Sequence, residues 1–229
     1  MNKYEYIVWD WNGTLLDDAR LCYELANLQF LKRQHPGMEF DHYRLHTAHP
    51  FSEFFRRMGL PLSSEEYAQL SHDFHRDYAE RRIECALHDQ ARTILQRIKS
   101  LGLHQSIISA HPQDMLWFML QHHGLTPFFD VVKGKQHPLG DGKLELAEDW
   151  IREIIPVEGA RILVVGDTDH DFEMAQLLGA DCLLVSHGLQ HPERLEKVGA
   201  PVVDSLRAVA ELLLGQLVEE QSDSKRPRI

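Results

Sequence analysis

Short apolar runs rich in β-branched residues recur along this 229-residue chain at 4–9, 105–108, 130–132, 162–165 and 182–185. Stretches with helical spacing separate the later runs, at 90–101, 112–123, 144–155 and 172–178, and a last one follows at 204–217. Strands and helices that alternate in this way pack as βα units, with helices covering both faces of a parallel sheet. The pattern predicts an α/β fold, a doubly wound Rossmann-like parallel sheet. Pro112 in the first turn of one helix and Gly179 just past the end of another suit the backbone geometry of helix termini.

One segment breaks the alternation. The stretch 10–104 between the first two runs reads mostly as helix: Leu21, Leu25 and Leu28 share one helical face, Phe54, Phe55 and Met58 suggest a second helix, and Leu70, Phe74 and Tyr78 a third. Ser63 stands three residues before Glu66, the spacing of a capping box at the start of that third helix. Residues 17–83 are therefore expected to form an all-helical domain inserted into a core built from 1–16 and 84–218, with crossings near 16–18 and 83–88. The polar, aperiodic ending 219–229 is expected to be a flexible tail.

Charge and cysteine usage narrow the function classes. With 35 acidic and 24 basic residues the chain carries −11, of which only −2 falls in 17–83, where 9 basic groups face 11 acidic ones. No broadly basic surface for nucleic acid is expected. No apolar run approaches a membrane span, and the charged start of the chain is unlike a signal peptide. Cys22, Cys85 and Cys182 are widely spaced and form no CxxC pair, so neither a disulfide framework nor a structural zinc site is expected, and a reducing cytoplasm is the natural compartment.

Chemistry-bearing residues follow three of the apolar runs directly. The first leads into Asp10-Trp11-Asn12-Gly13-Thr14-Leu15-Leu16-Asp17, the second into Ser109-Ala110-His111, and the fourth into Gly166-Asp167-Thr168-Asp169-His170-Asp171. Ligands bind at the carboxyl ends of strands in open parallel sheets, so the three clusters are expected to meet in one crevice. Asp10, Asp167 and Asp171 would crowd carboxylates there, which a hard divalent cation such as Mg²⁺ would neutralise with oxygen ligands. Helix capping is the competing explanation for Asp167 and Asp171, since both precede a helix.

The ordered motifs Asp10-x-Asn12-Gly13-Thr14-Leu15, Ser109, a lysine at a later helix start and Gly166-Asp167-x-x-x-Asp171 resemble the haloacid dehalogenase superfamily over nearly the whole chain. The string Asp10-x-Asn12-Gly13-Thr14-Leu15-Leu16-Asp17 is most similar to its phosphoglycolate-phosphatase-like members, and the helical insert is similar to their cap. The resemblance implies a Mg²⁺-dependent phosphatase acting on a small phosphorylated metabolite. In it Asp10 is the nucleophile that forms an aspartyl-phosphate, and Asp10, the main-chain carbonyl of Asn12, Asp167 and Asp171 are the metal ligands. Ser109 and the Ala110 amide would hold the phosphoryl group. Lys143, preferred over Lys133 and Lys135 because Leu146, Trp150 and Ile154 continue an apolar helix face behind it, would offset negative charge.

Position 12 departs from the family pattern. Many of these phosphatases carry an acid there that protonates the leaving group, whereas an amide cannot shuttle a proton near neutral pH. Slow hydrolysis, a leaving group that needs little protonation, a substitute acid such as His111 or His170, and transfer to another acceptor follow as alternatives. So do a dehalogenase or phosphonatase on the same fold and a slow or inactive phosphate-binding pseudoenzyme. The acidic cluster argues against a metal-free dehalogenase, and a phosphonatase needs a cap lysine, for which Lys32 is the sole candidate in 17–83. The clustered histidines, His42, His46, His49, His72 and His75, read as surface or core groups rather than a zinc site, and Arg44, Arg56 and Arg57 either face solvent or help to hold an anion under the cap. A monomer or weak homodimer is expected.

Overall fold

A computed structural model describes residues 3–48, 50–136, 143–154 and 159–223. In chain order the elements are β1 (Tyr6–Trp9), α1 (Ala19–Lys32), α2 (Phe40–His46), α3 (Phe51–Arg57), α4 (Ser64–Arg81), α5 (Ala91–Ser100), β2 (His104–Pro112), α6 (Gln113–His122), β3 (Val131–Lys135), α7 (Lys143–Ile154), β4 (Ile162–Gly166), α8 (Asp169–Leu178), β5 (Asp181–Val185), α9 (Pro192–Leu195), β6 (Val202–Val203) and α10 (Leu206–Asp223). The six strands form one parallel sheet in the order β3-β2-β1-β4-β5-β6.

Side chains alternate across that sheet and divide the core in two. Ile7, Trp9, Ile107, Leu163, Val165, Leu183 and Val185 pack with buried residues of α5, α6 and α10 on one face. Val8, Ile108 and Val164 pack with Leu146, Trp150, Met174 and Leu178 from α7 and α8 on the other. Covering both faces is what lets the strands be apolar throughout. The doubly wound core expected from the sequence is thus present. The direction of winding reverses between β1 and β4, so a crevice opens where their carboxyl ends diverge.

Helices α1 to α4 bury a cluster of their own, Ala26, Phe30, Tyr43, Ala48, Phe54, Phe55 and Leu70. Ser63 caps α4: its side chain accepts from the Glu66 amide at 3.2 Å, and the Glu66 carboxylate accepts from the Ser63 amide at 2.8 Å. Among the described residues the insert has four α-helices where the apolar spacing suggested three: Phe54 and Phe55 lie on α3 as expected, whereas α2, only seven residues long, is too short to show periodicity. Its entry and exit run side by side. Leu16 pairs antiparallel with Leu87, the Asp17 amide donates to the Ala86 carbonyl at 2.9 Å, and the His88 amide donates to the Leu15 carbonyl at 2.9 Å.

Several boundaries differ from the sequence reading. β2 continues through Ser109, Ala110 and His111 to Pro112, with a register shift against β3 between Ile108 and Pro112, and Pro112 caps α6 from an extended conformation instead of lying in its first turn. α8 begins at Asp169, three residues earlier than expected, because Thr168 and Asp171 form a capping box. α10 runs through Asp223 rather than ending at 217, since nothing in Glu219-Glu220-Gln221-Ser222 breaks a helix; 224–229 lie outside the described residues, as do residues 137–142. Among the described residues no helix is long and apolar enough to cross a membrane.

Candidate active site

Asp10 is the first residue beyond β1 and Asp167 the first beyond β4, so both stand at the crevice where the winding reverses. Asp171 arrives from the first turn of α8. The three carboxylates are buried, at 2%, 0% and 0% exposure, and each offers an oxygen within 4.8 Å of the others. Lys143, the first residue of α7, joins two of them: its Nζ is 2.6 Å from Asp10 Oδ1 and 2.6 Å from Asp171 Oδ1. The Thr14 hydroxyl lies 2.8 Å from Asp167 Oδ1 and 3.3 Å from Asp10 Oδ2.

Burial pushes the Asp10 carboxyl up to about 6, against the pull of Lys143 and with a further push from Asp171. Burial likewise holds Asp167 well above the usual carboxylate range, with Asp10 and Asp171 adding to it. Burial alone would lower the Lys143 ammonium, but Asp10 and Asp171 more than offset that and hold it above its ordinary value. Three buried acids served by one ammonium are an oxygen-rich, electron-rich pocket. Such a donor set fits a hard divalent cation.

Glycines shape the floor of this pocket. A Cβ on Gly13, whose φ is +76°, would come 2.2 Å from Asp167 Oδ2, and one on Gly188 would meet the same oxygen at 2.2 Å and the Gly13 carbonyl at 2.5 Å. The Leu189 amide donates to Asp167 Oδ2 at 2.6 Å. Asp171 divides its two oxygens. Oδ2 accepts from the Thr168 hydroxyl at 2.7 Å and from the amides of Thr168 and Asp167 at 3.0 and 3.2 Å, capping α8, while Oδ1 faces Lys143. The oxygen that caps α8 and the oxygen that faces Lys143 are thus different atoms of one side chain.

Beside Asp10 lies a second polar group that spans core and insert. Asn12 Nδ2 donates to Asp18 Oδ2 at 2.7 Å and to the Tyr78 hydroxyl at 2.8 Å, and the Tyr78 hydroxyl donates to Asp18 Oδ2 at 2.6 Å. The Gly13 amide donates to Asp18 Oδ1 at 2.8 Å. Burial pushes Asp18 up, opposed by those three donors. Ser109, 1% exposed, approaches Asn12 Oδ1 at 3.5 Å and accepts from the amide of His111 at 3.2 Å. Ala110 stands between them in the register-shifted part of β2. His111 packs edge-on against Tyr78, with ring centroids 5.6 Å apart.

Other sequence candidates are engaged elsewhere. Arg44 of α2 donates to the carbonyls of Ser186, Gly188 and Gln190 at 2.5, 2.9 and 3.1 Å, tying the insert to the loop that contacts Asp167. Arg194 of α9 binds Asp169 at 2.6 Å and the Thr47 carbonyl. Arg56 and Arg57 both pair with Glu53. His170 pairs with Glu173 at 3.1 Å, and Lys133 and Lys135 lie within β3. The His42 and His46 rings lie 4.2 Å apart and tilted by 33°, His72 lies 3.7 Å from Asp73, and His49 is outside the described residues; the acidic trio is the one potential metal cluster among the described residues. Sequence reasoning missed Thr14, Asp18, Tyr78 as a polar group, and the Leu189 amide.

A family model described as haloacid dehalogenase-like hydrolase matches residues 7–185. Among curated proteins, tyrosine-protein kinase PtkA of Mycobacterium tuberculosis is 24% identical over 210 residues, spanning 91% of this chain and 71% of that protein. Phosphoglycolate phosphatase of Vibrio cholerae is 23% identical over 224 residues, spanning 93% and 99%. Among solved structures, a haloacid dehalogenase-like hydrolase from Streptococcus pneumoniae superposes with a TM-score of 0.75 at 19% identity, covering 93% of this chain and 100% of that one.

Proposed function

The chain belongs to the haloacid dehalogenase-like hydrolase family, and from that footing we propose that it is a phosphatase that hydrolyses a small phosphorylated metabolite through an aspartyl-phosphate on Asp10. The observation that carries this reading is the buried meeting of Asp10, Lys143, Asp167 and Asp171 at the switch point of the sheet. Its relatives named phosphoglycolate phosphatase support phosphate-ester hydrolysis on a metabolite-sized substrate.

In this mechanism Asp10 attacks phosphorus through a carboxylate oxygen, and the bond to the leaving oxygen breaks. Lys143 keeps its proton beside two carboxylates and balances charge as the phosphoryl group transfers. Ser109 and the backbone at Ala110 orient the phosphoryl oxygens. Asp10, the carbonyl of Asn12, Asp167 and Asp171 would hold Mg²⁺, which when bound supplies the positive charge that lets an anionic phosphate approach an anionic nucleophile. Thr14 and the Leu189 amide keep the Asp167 carboxylate in place. Water then attacks phosphorus and regenerates Asp10. Helices α1 to α4 serve as a cap that excludes bulk water during the transfer. The reading is of a cytoplasmic enzyme, monomeric or weakly dimeric.

A second reading keeps the aspartyl-phosphate but passes the phosphoryl group to an acceptor other than water, which the amide at position 12 and the kinase name of one relative favour. A phosphonatase is disfavoured because Lys32 is exposed at the last turn of α1. The test is a screen of small phosphomonoesters with and without Mg²⁺, with Asp10→Asn as control. Mg²⁺-dependent release of phosphate by the wild type and none by the variant is expected. Equal activity from the two proteins sinks the mechanism.

A further inference from the structure

We propose that this site selects phosphate compounds whose departing oxygen is a weak base, namely acyl, enol or aryl phosphates, over simple alkyl phosphates, because the groups around Asn12 supply no proton to the leaving oxygen. The inference rests on phosphoryl transfer to Asp10 and names the substrate class of that reaction. Both hydrogens of the Asn12 amide are committed, one to Asp18 and one to Tyr78, which leaves Oδ1, an acceptor, on the side where Ser109 lies. The Tyr78 hydroxyl spends its own hydrogen on Asp18. Asp18 accepts from Gly13, Asn12 and Tyr78 and is 1% exposed. Lys143 is held between Asp10 and Asp171. His111, packed on Tyr78, is kept in its neutral form by burial and by Arg82 and His75, and burial holds the Cys22 thiol, 3.8 Å from Asp18 Oδ2, well above its ordinary range.

The consequence follows by bookkeeping of electrons and protons. When the Asp10 oxygen bonds to phosphorus, the bond from phosphorus to the leaving oxygen breaks and its electron pair departs on that oxygen. A carboxylic acid in this place would deliver a proton in the same step. Here the oxygen leaves as an anion and takes its proton from water afterwards, so its basicity falls directly on the barrier. A carboxylate, enolate or phenolate leaves readily on those terms, and an alkoxide does not. In the second step water bonds to phosphorus, the bond to Asp10 breaks to restore the carboxylate, and the released proton passes to solvent. Tyr78 belongs to the insert, so the amide is oriented across the junction of insert and core.

The experiment uses the full chain with Mg²⁺ and a set of ring-substituted phenyl phosphates, with benzyl phosphate as a partner of similar size that leaves an alkoxide. The wild type is expected to show kcat/KM falling steeply as the leaving group becomes more basic, with benzyl phosphate at least about 100-fold below p-nitrophenyl phosphate, the scale of a missing general acid. Asn12→Asp is expected to flatten that slope and recover benzyl phosphate by about 100-fold. Because a second carboxylate beside Asp18 risks misfolding, Asn12→Asp combined with Asp18→Asn repeats the test with the charge exchanged. A wild-type slope near zero overturns the inference, and so does a steep slope that neither variant flattens. If Asp10→Asn hydrolyses the same esters as fast as the wild type, the phosphatase reading itself fails; an Asp10-dependent but flat series fails this inference alone.

Discussion

Gly188 shows how closely single residues are fitted around the acidic trio. Its missing side chain is the space in which the Asp167 carboxylate and the Gly13 carbonyl sit, and neither neighbour is free to retreat, since Asp167 is held by Thr14 and Leu189. Gly188→Ala is expected to destabilise the fold by about 1–3 kcal/mol, as overpacking does, and to abolish Asp10-dependent turnover; urea melts and the phosphate-release assay measure the two effects. His111 gives a pH signature. Burial, with Arg82 and His75 nearby, pushes its imidazole from the ordinary 6.5 down to about 3. The unfolded chain therefore takes up a proton before the folded one does. Stability from this source is complete above about pH 6.5 and is lost as pH falls toward about 3. His111→Gln is expected to make the decline in urea stability between neutral and acidic pH shallower than in the wild type, and an unchanged slope counts against the assignment. Much of the site was legible at this scale. Asp10 and Asp167 are acids at strand ends, Asp171 follows within the first turn of α8, and Lys143 opens a helix whose apolar face runs through Leu146 and Trp150. Asp18 was not legible, because an acid at a chain crossing reads as a solvated charge, and a backbone amide such as that of Leu189 leaves no mark in composition.

Among the elements, α4 carries two separable roles. Its start is fixed locally by Ser63 and Glu66, a pattern visible in the sequence because both partners lie within one turn. Its far end brings the Tyr78 hydroxyl to Asn12, 66 residues away, and only the tertiary packing of the insert reveals that the same aromatic that completes an apolar face also presents a polar tip. Ser63→Ala is expected to cost about 1 kcal/mol, seen as a lower urea midpoint with an unchanged denaturant slope. The strands were legible because both sheet faces are covered and the runs are continuously apolar. β6 was not, since two residues, Val202–Val203, make too short a run to register. α2 escaped for the same reason, spanning barely two turns.

At the scale of the whole molecule, insert and core are joined by more than the two chain crossings. Arg44 and Arg194 fasten α2 and Thr47 to the stretch from Ser186 to Arg194, and that stretch in turn touches Asp167 through Leu189. Arg44→Ala is expected to raise deuterium uptake in α1 to α4 and in the loop after β5 while β1 and β4 keep their protection; uniform uptake across the chain would place the latch elsewhere. The crossings themselves have a different consequence. Because residues 15–17 and 86–88 lie paired along one another, the helical insert leaves and re-enters the sheet at nearly one point. To the core, the whole of α1 to α4 occupies the position of a hairpin turn. Loop-closure entropy rises only with the logarithm of loop length, so exchanging this segment for a longer, shorter or unrelated one changes little of what holds the sheet together. A lineage built on this plan is free to exchange the insert without redesigning the sheet edge that carries the acidic trio.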